Sequence, residues 1–290
     1  MRIHILPVLP KFQPDRQNFT APAHNDPTLG VEDDFSHWLS RQPDLTTDDP
    51  KRADWNYLDI RWNKLDWNWK EAGYGPIQAE IDRLVSRSRP TFTICEYDLA
   101  GLRPIFDLRG MRVFTASRRS ASPDLVDIPL LCSPHVLRSQ PAKRWLACFN
   151  GNIETDGIRI DMAAELAGQT DVWVGGQWMD SPQYAELIAA SHVALAPRGQ
   201  GAQSFRFYEA MQLGTVPLQI GEPDPRPFKR WLPWDECSLW RPGVEGLNEF
   251  LDGLDQWQLL EMGRRAAQVY AGHLAYGQWC RYVIKELEHA

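Results

Sequence analysis

The chain has 290 residues, 43% hydrophobic and 24% charged, with a formal net charge of −7. This is the composition of a globular protein rather than a disordered one. With no basic tract, it excludes nucleic acid as a partner, since that grip depends on Lys and Arg.

The five cysteines, Cys95, Cys132, Cys148, Cys237 and Cys280, are far apart and form no CxxC. Reduced, structural thiols in a cytoplasmic protein are expected, and no zinc site. No stretch reaches the ~20 apolar residues of a membrane span. Met1 to Pro10 lacks the apolar run and cleavage site of a signal peptide. The expectation is a protein with no transmembrane segment, compatible with peripheral contact to a membrane.

In chain order, Ile3 to Val8 predicts a first strand, ended by Pro10. Residues 11–50 are rich in Pro, Asp, Asn and Thr, with a short helix within Leu29 to Trp38. Asp54 to Trp69, DWNYLDIRWNKLDWNW, holds four of the thirteen tryptophans. Tyr57 to Ile60 predicts a second strand. Core packing is the ordinary fate of a tryptophan. An aromatic face can also take the C–H face of a sugar, which makes Trp62, Trp67 and Trp69 acceptor-binding candidates. Gly75 to Arg87 predicts a helix, because Ile77, Ile81, Leu84 and Val85 recur at helical spacing. Strands follow at Thr91 to Cys95, Met111 to Thr115 and Ile128 to Leu131. The polar, proline-bounded segment Ser133 to Pro141 predicts a linker.

The second half repeats the alternation of strand and helix. Trp145 to Phe149 is a strand, a glycine turn at Gly151 follows, and Ile158 to Leu166 is a helix. Asp171 to Val174 is a strand and Pro182 to Ala190 a helix. Then comes VALAPRGQGAQSFRFYEAMQLGTVPLQIGE over 193–222. Val193 to Ala196 is a wholly apolar, buried strand stopped by Pro197. Gly199 and Gly201 give the loop freedom, and Ser204 opens a helix as an N-cap residue. Gly214 ends that helix, and Val216 to Ile220 is the next strand. A helix N-terminus at the carboxyl end of a strand is where open α/β sheets hold anions and nucleotides. Arg206 and Glu209, at i and i+3, share one helix face. They can form a plain surface ion pair. They can also form a donor site, in which Arg198, Arg206 and loop amides hold a diphosphate and Glu209 accepts the two hydroxyls of a ribose. Helices at Leu247 to Leu254, Gln258 to Tyr270 and Gln278 to Glu288 complete the chain. Glu222 and Asp224, in GEPDPRP, have the spacing of a metal-binding acidic pair, but Pro223 and Pro225 make a loop the expectation, and no metal.

PRGQGAQSFRFYEAMQLGTVPLQI resembles the hallmark of the exostosin-like glycosyltransferases (family 47-like). Pro197, Arg198, Gly199, Ser204, Arg206, Tyr208, Glu209, Ala210, Gly214 and Pro217 carry that resemblance. Phe149-Asn150-Gly151-Asn152 with Ile158-Arg159, Tyr184 to Ser191, and Leu232-Pro233-Trp234 with Ser238-Leu239 are similar to further family segments. The likeness covers about 144–275 well and the N-terminal half thinly.

The resemblance implies an α/β, GT-B-like fold of two Rossmann-like domains with parallel sheets facing across a cleft. Residues 1–138 would form the acceptor-side domain and 142–271 the nucleotide-sugar domain, with 272–290 a terminal helix packing back on the first. It implies an inverting transfer from a nucleotide diphosphate sugar, UDP-linked, to a glycan or glycolipid hydroxyl, without a metal, by a soluble bacterial or viral form. Donor-binding residues would be Arg198, Gly199, Gly201, Ser204, Arg206, Glu209, Gly151, Asn152 and Arg159, with Arg206 also acting on the leaving group. The general base would be Asp98, Glu96 or Asp59, all at predicted strand ends. Two alternatives stay open: a GDP-sugar, fucosyltransferase-like enzyme, and a non-catalytic protein that binds glycans or nucleotides.

Overall fold

The computed structural model describes residues 1–13, 30–63, 65, 73–96, 105–118, 122 and 124–290. The chain divides into two compact units, Met1–Pro129 with Trp279–Ala290, and Leu130–Gln278.

The first unit is a five-stranded sheet in the order β1-β2-β3-β4-β5, every pair parallel. Its strands are β1 (Ile3–Ile5), β2 (Trp55–Tyr57), β3 (Thr91–Cys95), β4 (Arg112–Thr115) and β5 (Leu125–Asp127). Strand β3 is central and buried along its whole length, as expected for a strand covered on both faces. Helix α1 (Val31–Ser40) places Val31, Phe35 and Leu39 on one buried stripe. Helix α2 (Gly75–Leu84) buries Ile77 and Ile81 with Leu58, Ile60, Trp62 and Leu65. The terminal helix α8 (Cys280–Glu288) belongs to this unit, and the Trp279 indole just before it donates to Asp34 Oδ2 at 2.8 Å.

Two strands lie away from their expected positions. The run at Ile128 to Leu131 is not β5. Pro129 has no N–H for a ladder, and β4 pairs instead with Leu125, Val126 and Asp127. Leu58 to Ile60 follow β2 rather than form it; Leu58 and Ile60 are buried in the core on either side of Asp59.

The second unit has the sheet order β10-β9-β8-β6-β7, again all parallel. Its strands are β6 (Trp145–Asn150), β7 (Val172–Gly175), β8 (Ser191–Pro197), β9 (Val216–Ile220) and β10 (Leu239–Arg241). Helices α3 (Gly157–Glu165), α4 (Ser181–Ala189), α5 (Phe205–Gln212), α6 (Leu247–Asp252) and α7 (Gln256–Val269) cover it. One face packs Val193, Leu195, Leu218 and Phe149 against Met162, Leu247 and Leu259. The other packs Cys148 and Ala194 against Ala185, Ile188 and Ala210. Gly214 follows α5 at φ +71°, and a side chain at Gly263 of α7 would lie too close to its carbonyl to fit, so the chains meet backbone to backbone there.

Two parallel, helix-covered Rossmann-like units in one chain make an α/β, GT-B-like protein. All five cysteines are buried, with no disulfide among them. Among the described residues, no helix is long and apolar enough to cross a membrane.

Candidate functional site

The loop from β8 to α5 is fixed by its own backbone and by two glutamines. Arg198 N donates to Ile220 O at 3.0 Å and Gly199 N to Gly201 O at 3.1 Å. Gln203 Oε1 accepts from the Tyr208 hydroxyl at 2.6 Å, and Gln219 Nε2 donates to Ala202 O at 2.8 Å. The Gly199 amide is therefore spent within the loop, and the Gly151 amide is spent on Gly175 O at 2.9 Å. These two amides are not the anion donors expected of them. Ser204 stands at the N-cap in extended geometry, but its hydroxyl makes no capping bond. The first-turn amides of α5 thus have no side-chain acceptor, the condition under which a helix N-terminus takes an anion.

Three guanidiniums meet at this loop. Arg206, 8% exposed, donates through Nη2 to Asn150 O at 2.5 Å and lies 4.3 Å from the centre of the Phe149 ring. Its Nε is buried without a partner. Arg159 donates through Nε to Arg198 O at 3.0 Å and through Nη1 to Asn152 O at 2.8 Å. Burial, and then the charge of Arg206, push its pKa down to about 10. Arg198 reaches Asp156 at 3.3 Å and Glu222 O at 3.2 Å. Among the described residues, Asp156 is the one carboxylate paired with any of the three. Asp156 also caps α3 by accepting from Ile158 N, and Asn152 caps the turn before it by accepting from Glu154 N at 2.8 Å.

Two glycines are explained by these arginines. A Cβ at Gly151 would sit 2.6 Å from Arg206 Nη2, and one at Gly199 would sit 3.0 Å from Arg159 Nη2. A side chain at either position would press on a guanidinium.

Glu209 does not pair with Arg206. Its Oε2 accepts from the Tyr184 hydroxyl at 2.9 Å, and its Oε1 lies 3.3 Å from His135 Nε2. Burial, partly countered by Arg206, raises the Tyr184 phenol well above its usual range, so it stays a donor. Gln212 Oε1 accepts from His135 N and fixes that residue's backbone. Tyr184 and His135 were absent from the sequence-derived site. Tyr184 lies in the family-like helix Tyr184 to Ser191, which was a usable signal. His135 lies in a segment that reads as linker and carries none.

In the first unit, Trp62 is 3% exposed; its indole donates to Thr93 Oγ1 at 2.8 Å and packs on Phe106. It is a core residue, not a sugar platform. Trp67, Trp69 and Asp98 lie outside the described residues. Asp59 is saturated: Oδ1 accepts from Ser36 at 2.6 Å, from Tyr57 at 3.1 Å and from Arg61, and Oδ2 accepts from Gln13. It holds α1 and β2 together and has little room for a substrate proton. Glu96 is half-buried, and its Oε2 accepts from Val31 N at 2.9 Å at the head of α1. Beside it, Glu32 Oε1 accepts from Glu96 N at 3.2 Å. Burial, and then the charge of Glu96, hold the Glu32 carboxyl well above the usual range.

Asp224 accepts from Arg226 at 3.0 Å and pairs with Lys229 at 2.9 Å. Burial alone would raise its pKa, but these cations leave it below the ordinary value. Two cations already occupy the carboxylate, and among the described residues no cluster of three His, Cys, Asp or Glu could hold a metal ion.

Residues 110–242 match the model of the Exostosin GT47 domain. The Exostosin-1 homolog of Caenorhabditis elegans is 31% identical over 97 residues, 33% of this chain and 25% of that protein. Exostosin-1 of Drosophila melanogaster is 34% identical over 61 residues, 21% of this chain and 8% of that protein. The chain thus matches a quarter or less of either relative's length. Among solved structures, Anabaena Alr3699/HepE in complex with UDP and glucose superposes with a TM-score of 0.47 at 11% identity, over 82% of this chain and 78% of that one. The matched domain spans β4 to β10 and includes the arginine-bearing loop and helix, so over that part the chain is similar to the Exostosin GT47 domain.

Proposed function

We propose that the protein is an inverting glycosyltransferase that moves a sugar from a nucleotide diphosphate donor, UDP-linked, to the hydroxyl of a glycan or glycolipid. One observation carries the reading. Arg206 is buried at the head of α5, is not neutralised by Glu209, and keeps Nε unpaired. A cation in the first turn opposes the helix dipole. A cation buried without a counter-charge is costly unless an anion arrives. Arg159 and Arg198 add positive charge around the same loop, and a diphosphate suits forked guanidinium donors.

In this mechanism the acceptor oxygen attacks the anomeric carbon opposite the leaving group, and the glycosidic C–O bond to the diphosphate breaks. The charge that develops on the diphosphate is taken by Arg206, Arg198, Arg159 and the first-turn amides of α5, with no metal. The ribose hydroxyls donate to Glu209, which Tyr184 and His135 hold in place. The acceptor proton passes to a carboxylate, Glu96 or Asp98, in preference to Asp59. Residues 1–138 are the acceptor-side part and 142–271 the donor part. A cytoplasmic location fits five buried cysteines with no disulfide among them.

The test is incubation with a panel of UDP- and GDP-sugars and saccharide acceptors, read by mass spectrometry of products and by NMR of the new anomeric centre. The expected result is transfer from a UDP-sugar with inverted configuration. Transfer from a GDP-sugar alone moves the donor assignment, and glycan binding without turnover of any donor overturns the enzyme.

A further inference from the structure

At the carboxyl ends of β6 and β7, two neighbouring side chains are left incomplete. Asn150 Oδ1 and Trp173 Nε1 are both buried and have no partner inside the protein. Asn150 is 8% exposed. Its orientation is set by its other atom, since Nδ2 donates to Gln177 O at 3.0 Å, so the unpaired atom is the acceptor. Both unpaired atoms lie 3.1 Å from the point where a Cβ at Gly175 would stand. One acceptor and one donor therefore flank the same glycine, each within twice that distance of the other. Gly175 is the register partner of Asn150 across the ladder.

Unpaired buried polar atoms are rare, because each forfeits its bond to water. Two of opposite sense at one place are completed together by a single group that both donates and accepts. A hydroxyl does both. The corner is also the one that holds the charged site, since the Asn150 carbonyl accepts from Arg206.

We propose that Asn150, Trp173 and Gly175 form a subsite for one sugar hydroxyl of the donor. Trp173 Nε1 donates to the hydroxyl oxygen, Asn150 Oδ1 accepts its proton, and the missing side chain of Gly175 leaves the room. The segment after β7 is tied to the same amide through Gln177 O, so the hydroxyl is admitted with a shift of that segment. The inference rests on the nucleotide-sugar reading. The hydroxyl can belong to the ribose or to the transferred sugar, and binding data separate the two.

The experiment is titration calorimetry of the full chain with UDP, UDP-glucose, UDP-N-acetylglucosamine and GDP-mannose, on wild type, Trp173→Phe and Gly175→Ala, each checked for a cooperative melt. Phenylalanine removes the N–H and keeps a ring; alanine fills the space without a positive-φ penalty. Both variants should bind the preferred sugar nucleotide at least tenfold more weakly. If free UDP weakens equally, the hydroxyl is the ribose's; if UDP binding is unchanged, it is the transferred sugar's. Folded variants with wild-type affinity for every ligand would overturn the subsite and leave the pair to a trapped water, with the donor reading intact. A wild type that binds none of the four would overturn the donor reading, and the subsite with it.

Discussion

The guanidinium of Arg206 donates to the main-chain carbonyl of Asn150 at 2.5 Å, and Glu209, three residues further along the same helix, is held by Tyr184 and His135 instead. The local ion pair that the i, i+3 spacing offers is not made. A carbonyl gives the arginine direction without cancelling its charge, so the cation remains available to an anion.

Glu209→Gln should preserve the fold and weaken nucleotide binding by about 1–3 kcal/mol, the scale of hydrogen bonds to a charged group. Tyr184→Phe should weaken it less, because it frees the carboxylate without removing it. Calorimetry with UDP measures both. Unchanged affinity in Glu209→Gln would remove the ribose role.

Turnover should persist in a chelator. Arg159, Arg198 and Arg206 supply the positive charge, and Asp224 is already engaged by Arg226 and Lys229. Loss of activity in EDTA that manganese restores would contradict this.

Glu32 gives a stability prediction with a definite sign. Its folded pKa is raised above 4.5 by burial and then by Glu96. The folded state therefore binds more protons, and this group's stabilisation, complete below the unfolded value, is lost as pH climbs through the folded value. Glu32→Gln mimics the protonated acid. The melting temperature of the variant minus that of wild type should widen as pH rises above 4.5. A gap that stays flat with pH would show that Glu32 is charged in the fold.

Lys143 behaves in the opposite way. Its ammonium donates to Ser191 O at 2.6 Å, and burial pushes its pKa down from 10.5 to about 8. Between those values the unfolded chain binds more protons, so this residue makes stability rise with pH. Wild type should gain stability relative to Lys143→Met as pH rises across that window. Parallel melting curves from pH 8 to 10.5 would contradict the shift.

Much of the second unit is legible from residue pattern. Val216 to Ile220, apolar but for Gln219, lies between Gly214 and Gly221, and it is a strand over those same residues. Gly214 ends α5 with a positive φ, as a glycine after a helix does. Arg206 is also legible as unusual, because a cation in a first helical turn is out of place there. What the arginines touch is not legible. The Arg206–Asn150 and Arg159–Arg198 bonds join residues 56 and 39 apart in the chain, and only strand register brings them together. The glycine amides at 151 and 199 read as anion donors, yet backbone carbonyls take both. Trp62 illustrates the converse. Sequence offers a tryptophan either a core or a sugar, and the Thr93 hydroxyl of β3 decides for the core by taking the indole N–H.

Arg206→Ala, followed by single-turnover kinetics at saturating donor and by melting without ligand on the same sample, tests the donor site most directly. If Arg206 stabilises the leaving diphosphate, the rate should fall about a hundredfold or more. The apo melting temperature should stay level or rise, because a buried cation with an unpaired Nε has been removed. A folded Arg206→Ala protein that turns over near the wild-type rate would contradict the account.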